Sequence, residues 1–216
     1  MTTRYLKFLL SVLGGVVGMA AVLLVFIVRP VISAKSVVGD IVGIDKGGFN
    51  AMQLRQWADR HRGSVVCDGQ RCQGTVEESN DVLHFLHLAP STRFSAVMTT
   101  VDDHLVQSAF YLSDVNYSPD AASGAATHVV LAYSSSEVTR VLGSPVSGAF
   151  VAQGPVGKLP GRLYVVTPES SKASISLAYK INVWCLARIG GCSGPQQAPD
   201  IWSLPETARE TREKRE

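Results

Sequence analysis

The sequence predicts an α+β protein: an N-terminal transmembrane helix followed by one small domain, with a mostly antiparallel twisted sheet packed on a helix. Three observations predict it. Residues 8–28 form 21 consecutive positions without a charge. At roughly 1.5 Å of rise per residue such a helix crosses the roughly 30 Å hydrocarbon core of a bilayer. Residues 50–62 carry the clearest helical period of the remaining chain. Beyond Gly63 the period shifts toward two, and the turn pairs Asp68-Gly69 and Asp102-Asp103 separate β-rich runs. Short links between successive strands imply antiparallel pairing.

The apolar segment sets the expected location. Arg4 and Lys7 precede it, which suits both an anchor and a cleaved signal peptide. A signal peptide has a shorter apolar stretch and a small-x-small cleavage site. Here the run ends in Arg29-Pro30, and Ala34 has Ile32 two positions before it, so retention as a signal-anchor is the better reading. The positive-inside rule leans toward a cytoplasmic N-terminus. Cys67, Cys72, Cys185 and Cys192 all follow the segment, and an even cysteine count there points to disulfides in an oxidising space. The expected placement is a single pass with the C-terminal domain extracytoplasmic, as in a bacterial inner-membrane protein facing the periplasm. The domain plan is then residues 1–7 cytoplasmic, 8–28 spanning, 29–48 a juxtamembrane linker, 49–194 the domain and 195–216 a disordered charged tail.

Composition excludes one partner class. Residues 35–195 hold 13 Lys/Arg and 13 Asp/Glu, a net charge of zero; the overall +2 comes from the membrane flanks. Nucleic-acid binding needs clustered cations against phosphate, so nucleic acid is not an expected partner. The lipid bilayer is.

Each element has its own signal. In the linker, Gly39, Gly43, Gly47 and Gly48 interrupt, while Val37, Val38, Ile41, Val42 and Ile44 could pair as a short strand. Asn50 is the expected N-cap of helix 50–62, Met52, Leu54, Trp57, Ala58 and His61 its apolar face, and Gly63 its stop. A hairpin is expected over 65–76, a short helix over 81–88, and strands over 94–101 and 104–113. Residues 114–126 read as a loop, 127–133 as a strand, and 134–161 as weakly patterned. Residues 163–167 and 174–181 read as strands, the latter from the alternation of Ile175, Leu177, Tyr179 and Ile181. Asn182 is the expected cap of a helix over 183–189, ended by Gly190-Gly191. This element order resembles an α+β roll of the cystatin or nuclear-transport-factor-like class in layout alone, without a shared motif.

Each candidate site also has a plainer reading. The spacings C-x4-C and C-x6-C suit local disulfides, Cys67–Cys72 and Cys185–Cys192. A four-thiolate zinc site favours tighter spacing, and a redox pair prefers C-x-x-C. His84 and His87 stand three apart beside Glu77, Glu78 and Asp81, without the H-E-x-x-H arrangement of ligands and base. Asp102-Asp103-His104 sits where a turn explains the acids. Ser134-Ser135-Ser136 lacks a nucleophile elbow. Gly154–Lys158 lacks phosphate-loop spacing, and Asn116-Tyr117-Ser118 is formally a glycosylation sequon. In the apolar segment Gly14 and Gly18 form a small-x-x-x-small pair, which lets helices approach. Its expected partner is another membrane protein or a second copy of this chain.

No metal, cofactor or catalytic set follows from these residues. The expected function is a non-enzymatic binding or assembly module held at the membrane. The alternatives are an extracytoplasmic enzyme with dispersed catalytic residues and a thiol- or metal-handling protein.

Overall fold

A computed structural model describes residues 2–44, 49–117, 122–143, 147–156 and 159–192. Its first element is a single helix, α1, from Thr2 to Gly43. Helix α2 (Ala51–Arg60) follows, then strands β1 (Ser64–Asp68) and β2 (Arg71–Ser79), the short helix α3 (Asp81–Phe85), and strands β3 (Ser91–Val101), β4 (His104–Tyr117) and β5 (Ala122–Ala132). The chain continues through α4 (Ser135–Leu142), β6 (Phe150–Val156), β7 (Leu159–Val166), α5 (Lys172–Ala178) and a 3-10 helix, Val183–Ala187. The seven strands make one sheet in the order β1-β2-β3-β4-β5-β7-β6. Every pairing is antiparallel except β5 with β7. The α+β class and the mostly antiparallel sheet hold.

As far as Gly43 the expected linker is a helix, and its Gly47 and Gly48 lie outside the described residues. Val31, Ala34, Val37 and Ile41 are buried, a spacing of three to four that lines one side of α1. They join Leu54, Trp57, Phe94, Met98 and Leu186 in the main core. Gly39 and Gly43 stand on the open side, where an added Cβ would meet nothing. Glycine there costs about 1 kcal/mol each in helix propensity, and the buried stripe outweighs that. The strand expected around Val37–Ile44 is therefore absent, and residues 31–41 belong to the core of the domain.

Most of the helical layer lies on one sheet face, over Phe94, Ala96, Met98, Phe110, Leu112, Val129, Leu131, Tyr164 and Val166. In α2, Asn50 accepts from Gln53 N at 3.0 Å and Gln53 Oε1 accepts from Asn50 N at 2.9 Å, a capping box. Leu54, Trp57 and Ala58 are buried as expected, while Met52 is 63% exposed. Arg62, not Gly63, takes the left-handed φ of 58° after this helix. Gly63 is required for space: a Cβ there would collide with the Thr75 carbonyl oxygen and approach Val76 Cγ2 to 2.8 Å.

On the second face, α4 covers a smaller cluster. Ala109, Val130 and Val165 lie beneath its Val141 and Leu142. Ser134 accepts from Glu137 N at 3.3 Å at its start, and Gly143 closes it at φ 71°.

Three further expectations change. Residues 114–117 and 122–126 extend β4 and β5, in register from Asp114↔Ala125 to Tyr117↔Ala122. Backbone pairing rather than apolar alternation holds that stretch. The weakly patterned region contains α4, β6 and the start of β7; Pro155 is tolerated because β6 is an edge strand. Residues 172–178 are helix, not strand. Ser171 accepts from Ser174 N at 3.2 Å, and Ala178 is fully buried. The alternation of Ile175, Leu177 and Tyr179 came from partly buried side chains on a broad helical face. Asn182 precedes the 3-10 helix without a side-chain capping bond. The expected tail, residues 195–216, lies outside the described residues.

Candidate functional site at the helix–domain junction

The apolar part of α1 leaves the domain and stands alone. From Leu10 the helix has a mean hydropathy of 2.6 over its best window, none of it buried. It is a candidate membrane span, continuous with the core helix above it. The transition falls near Arg29 and Pro30, and a cleft opens there. Its volume is ≈ 650 Å³, and it is lined by Leu24, Val25, Val28 and Ile32 on the helix and by Arg60, His61 and Arg62 on the domain.

One carboxylate orders the upper rim. Asp40 Oδ2 accepts from Arg60 Nη1 at 2.8 Å and from His61 Nε2 at 2.9 Å. Because an ionised carboxylate only accepts, the Nε2 position carries the shared proton. Trp57 lies 5.9 Å from the His61 ring. The cleft is thus apolar toward the span and polar toward the domain. Glu78 lines it as well, so its charge is mixed.

A second polar cluster lies on the opposite sheet face, and neither periodicity nor spacing announced it. Glu137 is buried on α4 and accepts from Arg71 Nη2 and Arg140 Nε, both at 2.9 Å. Arg140 also donates to Gln107 Oε1 at 3.0 Å. Burial pushes the Glu137 carboxyl up, but bonds from Arg140 and Arg71 outweigh it and leave its pKa lowered. The Glu137 contact raises Arg140 in turn. These bonds tie α4 to β2 and β4. Tyr133 donates to Ser108 Oγ at 3.0 Å, and burial raises its pKa. His128 packs edge-on against Tyr111 at 6.0 Å, and burial lowers its pKa.

The sequence-derived candidates fall in separate places. Cys67 is bonded to Cys72 across the β1–β2 hairpin, and Cys185 to Cys192 at the end of the 3-10 helix. His84 Nδ1 lies 3.4 Å from the Ala89 carbonyl, and His87 occupies a left-handed turn position at φ 56°. Among the described residues, no three His, Cys, Asp or Glu side chains form a metal-sized group. Asp102 and Asp103 form the β3–β4 turn, both at positive φ, and Asp103 Oδ1 accepts from Ala51 N at 3.2 Å. Ser134 is the α4 cap. Gly14 and Gly18 face open space. Ser118 of the sequon and residues 157–158 of the glycine-rich stretch lie outside the described residues. No family model, curated protein or solved structure matches the chain.

Proposed function

We propose that the chain is a single-pass, membrane-anchored binding or assembly module, with its disulfide-bonded domain on the extracytoplasmic side. The observation supporting this reading is the unbroken course of α1 from its apolar segment into the core. A domain joined this way presents its surfaces at a fixed height and rotation above a bilayer. That arrangement suits recognition of a neighbour in or beside the membrane. The Glu137–Arg71–Arg140 cluster supports it too, because its charges join secondary-structure elements. Helix–helix contact through Gly14 and Gly18 is the route by which a second copy or another membrane protein would join.

Two measurements test the reading. Protease added outside intact cells should remove a C-terminal tag; a tag protected until lysis reverses the orientation. Alanine at His84, His87, Asp102, Asp103 or His104 should still complement loss of the gene. A variant that folds, stays in the membrane and fails to complement would favour the enzyme or metal-handling alternative.

A further inference from the structure

Four large apolar side chains lie exposed close to the end of the apolar segment. Phe85 is 82% exposed, Ile189 69%, Leu88 43% and Leu86 42%. Two short elements carry them, α3 with its following turn and the end of the 3-10 helix. A backbone bond from Gly190 N to the Leu88 carbonyl, 3.0 Å long, joins the two turns.

The height of this patch is fixed by what α3 touches. Val82 and Leu83 share a pocket of ≈ 250 Å³ with Phe26, Ile27, Arg29 and Pro30, and Leu186 closes it. Those α1 residues end the uncharged run and include the first charge after it. The opposite end of the sheet is polar. There β3 ends at the Asp102–Asp103 turn, and Asp103 holds the start of α2. At about 3.3 Å per residue, β3 separates the two ends by roughly 35 Å.

We propose that Phe85, Leu86, Leu88 and Ile189 lie in the headgroup layer of the bilayer that α1 crosses, docking the base of the domain onto the lipid surface. The inference rests on reading α1 as a membrane span. Continuity selects lipid as the occupant, since these side chains flank the place where the span emerges. Exposed apolar clusters mark interaction surfaces, and aromatic and aliphatic groups beside His and Arg suit an interface that is apolar below and wet above. His84, His87 and Arg188 are exposed around the patch and supply that polar margin. Trp184, 55% exposed beneath the Lys35 ammonium at 4.2 Å, marks a higher level on the same side.

The test uses the full chain in phosphatidylethanolamine–phosphatidylglycerol vesicles. A photoreactive benzoylphenylalanine is placed singly at Leu24, Phe85 or Met52. Leu24 lies in the apolar run, and Met52, 63% exposed, lies by the Asp103 turn. Lipid adducts are expected at Leu24 and Phe85 and not at Met52. With the probe at Leu88, Phe85→Asp should cut lipid labelling several-fold; its exposure makes this change tolerable to the fold. Adducts at Leu24 but not Phe85 overturn the docking and spare the span. Absence at both removes the span, and the docking with it. In native membranes, a protein adduct at Phe85 in place of lipid assigns the patch to a protein partner and overturns the proposal.

Discussion

Asp40 on α1 and His61 at the end of α2 are in hydrogen-bond contact over 2.9 Å, and Arg60 reaches the same carboxylate oxygen at 2.8 Å. The two contacts differ in worth. Arg60 is 65% exposed, so its ion pair contributes little. The His61 side chain is 5% exposed, and losing its acceptor would leave a buried N–H. Asp40→Ala should destabilise the domain by about 1–2 kcal/mol. Asp40→Asn keeps an acceptor oxygen and should recover most of that. Denaturant unfolding of the full chain in detergent distinguishes the two.

The boundary of the domain is open to direct measurement. Val31, Ala34 and Val37 are fully buried. A chain beginning at residue 31 should fold as a soluble monomer, whereas one beginning at residue 49 should expose the groove that α1 fills and aggregate. Within the full chain, Val37→Ala should cost about 2 kcal/mol, from two lost methyl groups and the cavity they leave. Size-exclusion chromatography and circular dichroism of the two truncations decide the first claim. Equal folding of both would place α1 outside the core.

Glu137 makes stability depend on acid. Its folded pKa lies below the ordinary 4.5, despite burial, because of Arg140 and Arg71. A lowered folded pKa means that its contribution is complete above about pH 4.5 and is lost as pH falls through the lower folded value. Glu137→Gln should flatten that acid limb and weaken the fold at neutral pH. Arg71 and Arg140 are 33% and 52% exposed, so solvent screens both, and the expected loss is about 1–2 kcal/mol rather than that of a sealed pair. Melting temperatures from pH 3 to 7 test the shape of the curve.

The two disulfides should be reduced in order. Cys67 is exposed on its hairpin, whereas Cys185 and Cys192 are each 1% exposed. A thiol reductant should open Cys67–Cys72 first, because the attacking thiolate must reach a sulfur. Each bridge closes a short loop, so each should contribute no more than about 2 kcal/mol. Timed alkylation with peptide mass mapping gives the order. Simultaneous opening would mean that the second bridge is not sheltered.

Two glycines should respond with opposite signs. Gly63→Ala forces a Cβ onto the Thr75 carbonyl and Val76, at an expected cost of about 1–3 kcal/mol. Gly39→Ala meets open space on a helix, and should stabilise by about 0.5–1 kcal/mol. Thermal melts of the two single variants suffice.

Local chemistry made part of this architecture legible. Asn50 wrote the start of α2, Asp102-Asp103 wrote a turn, and the cysteine spacings matched two local bridges. What escaped was decided by burial at a distance. Val37 and Val38 suit a strand until they are placed on a helix that packs into the same core as Trp57 and the sheet. Ile175 and Leu177 alternate, but Ala178, the residue after Leu177, is the one that occupies the core. The junction cleft and the Glu137 cluster join residues as far apart as Asp40 with Arg60 and Arg71 with Glu137, and spacing along the chain carries no trace of either.

The missing linker turns α1 into a lever arm. The helix runs on from Arg29 into the core, with Pro30 the turn that lacks a backbone N–H donor, so rotation or tilt of the lower helix reaches the sheet except for what bends at that turn. A tilt of 10° about the helix exit would sweep the Asp102–Asp103 turn, roughly 35 Å away along β3, through about 6 Å. If the apolar stretch of α1 spans a bilayer, as proposed, such a domain is a pointer whose bearing is set there. Lipid thickness or a neighbouring helix could then change what the far turn reaches without altering a single contact in the fold.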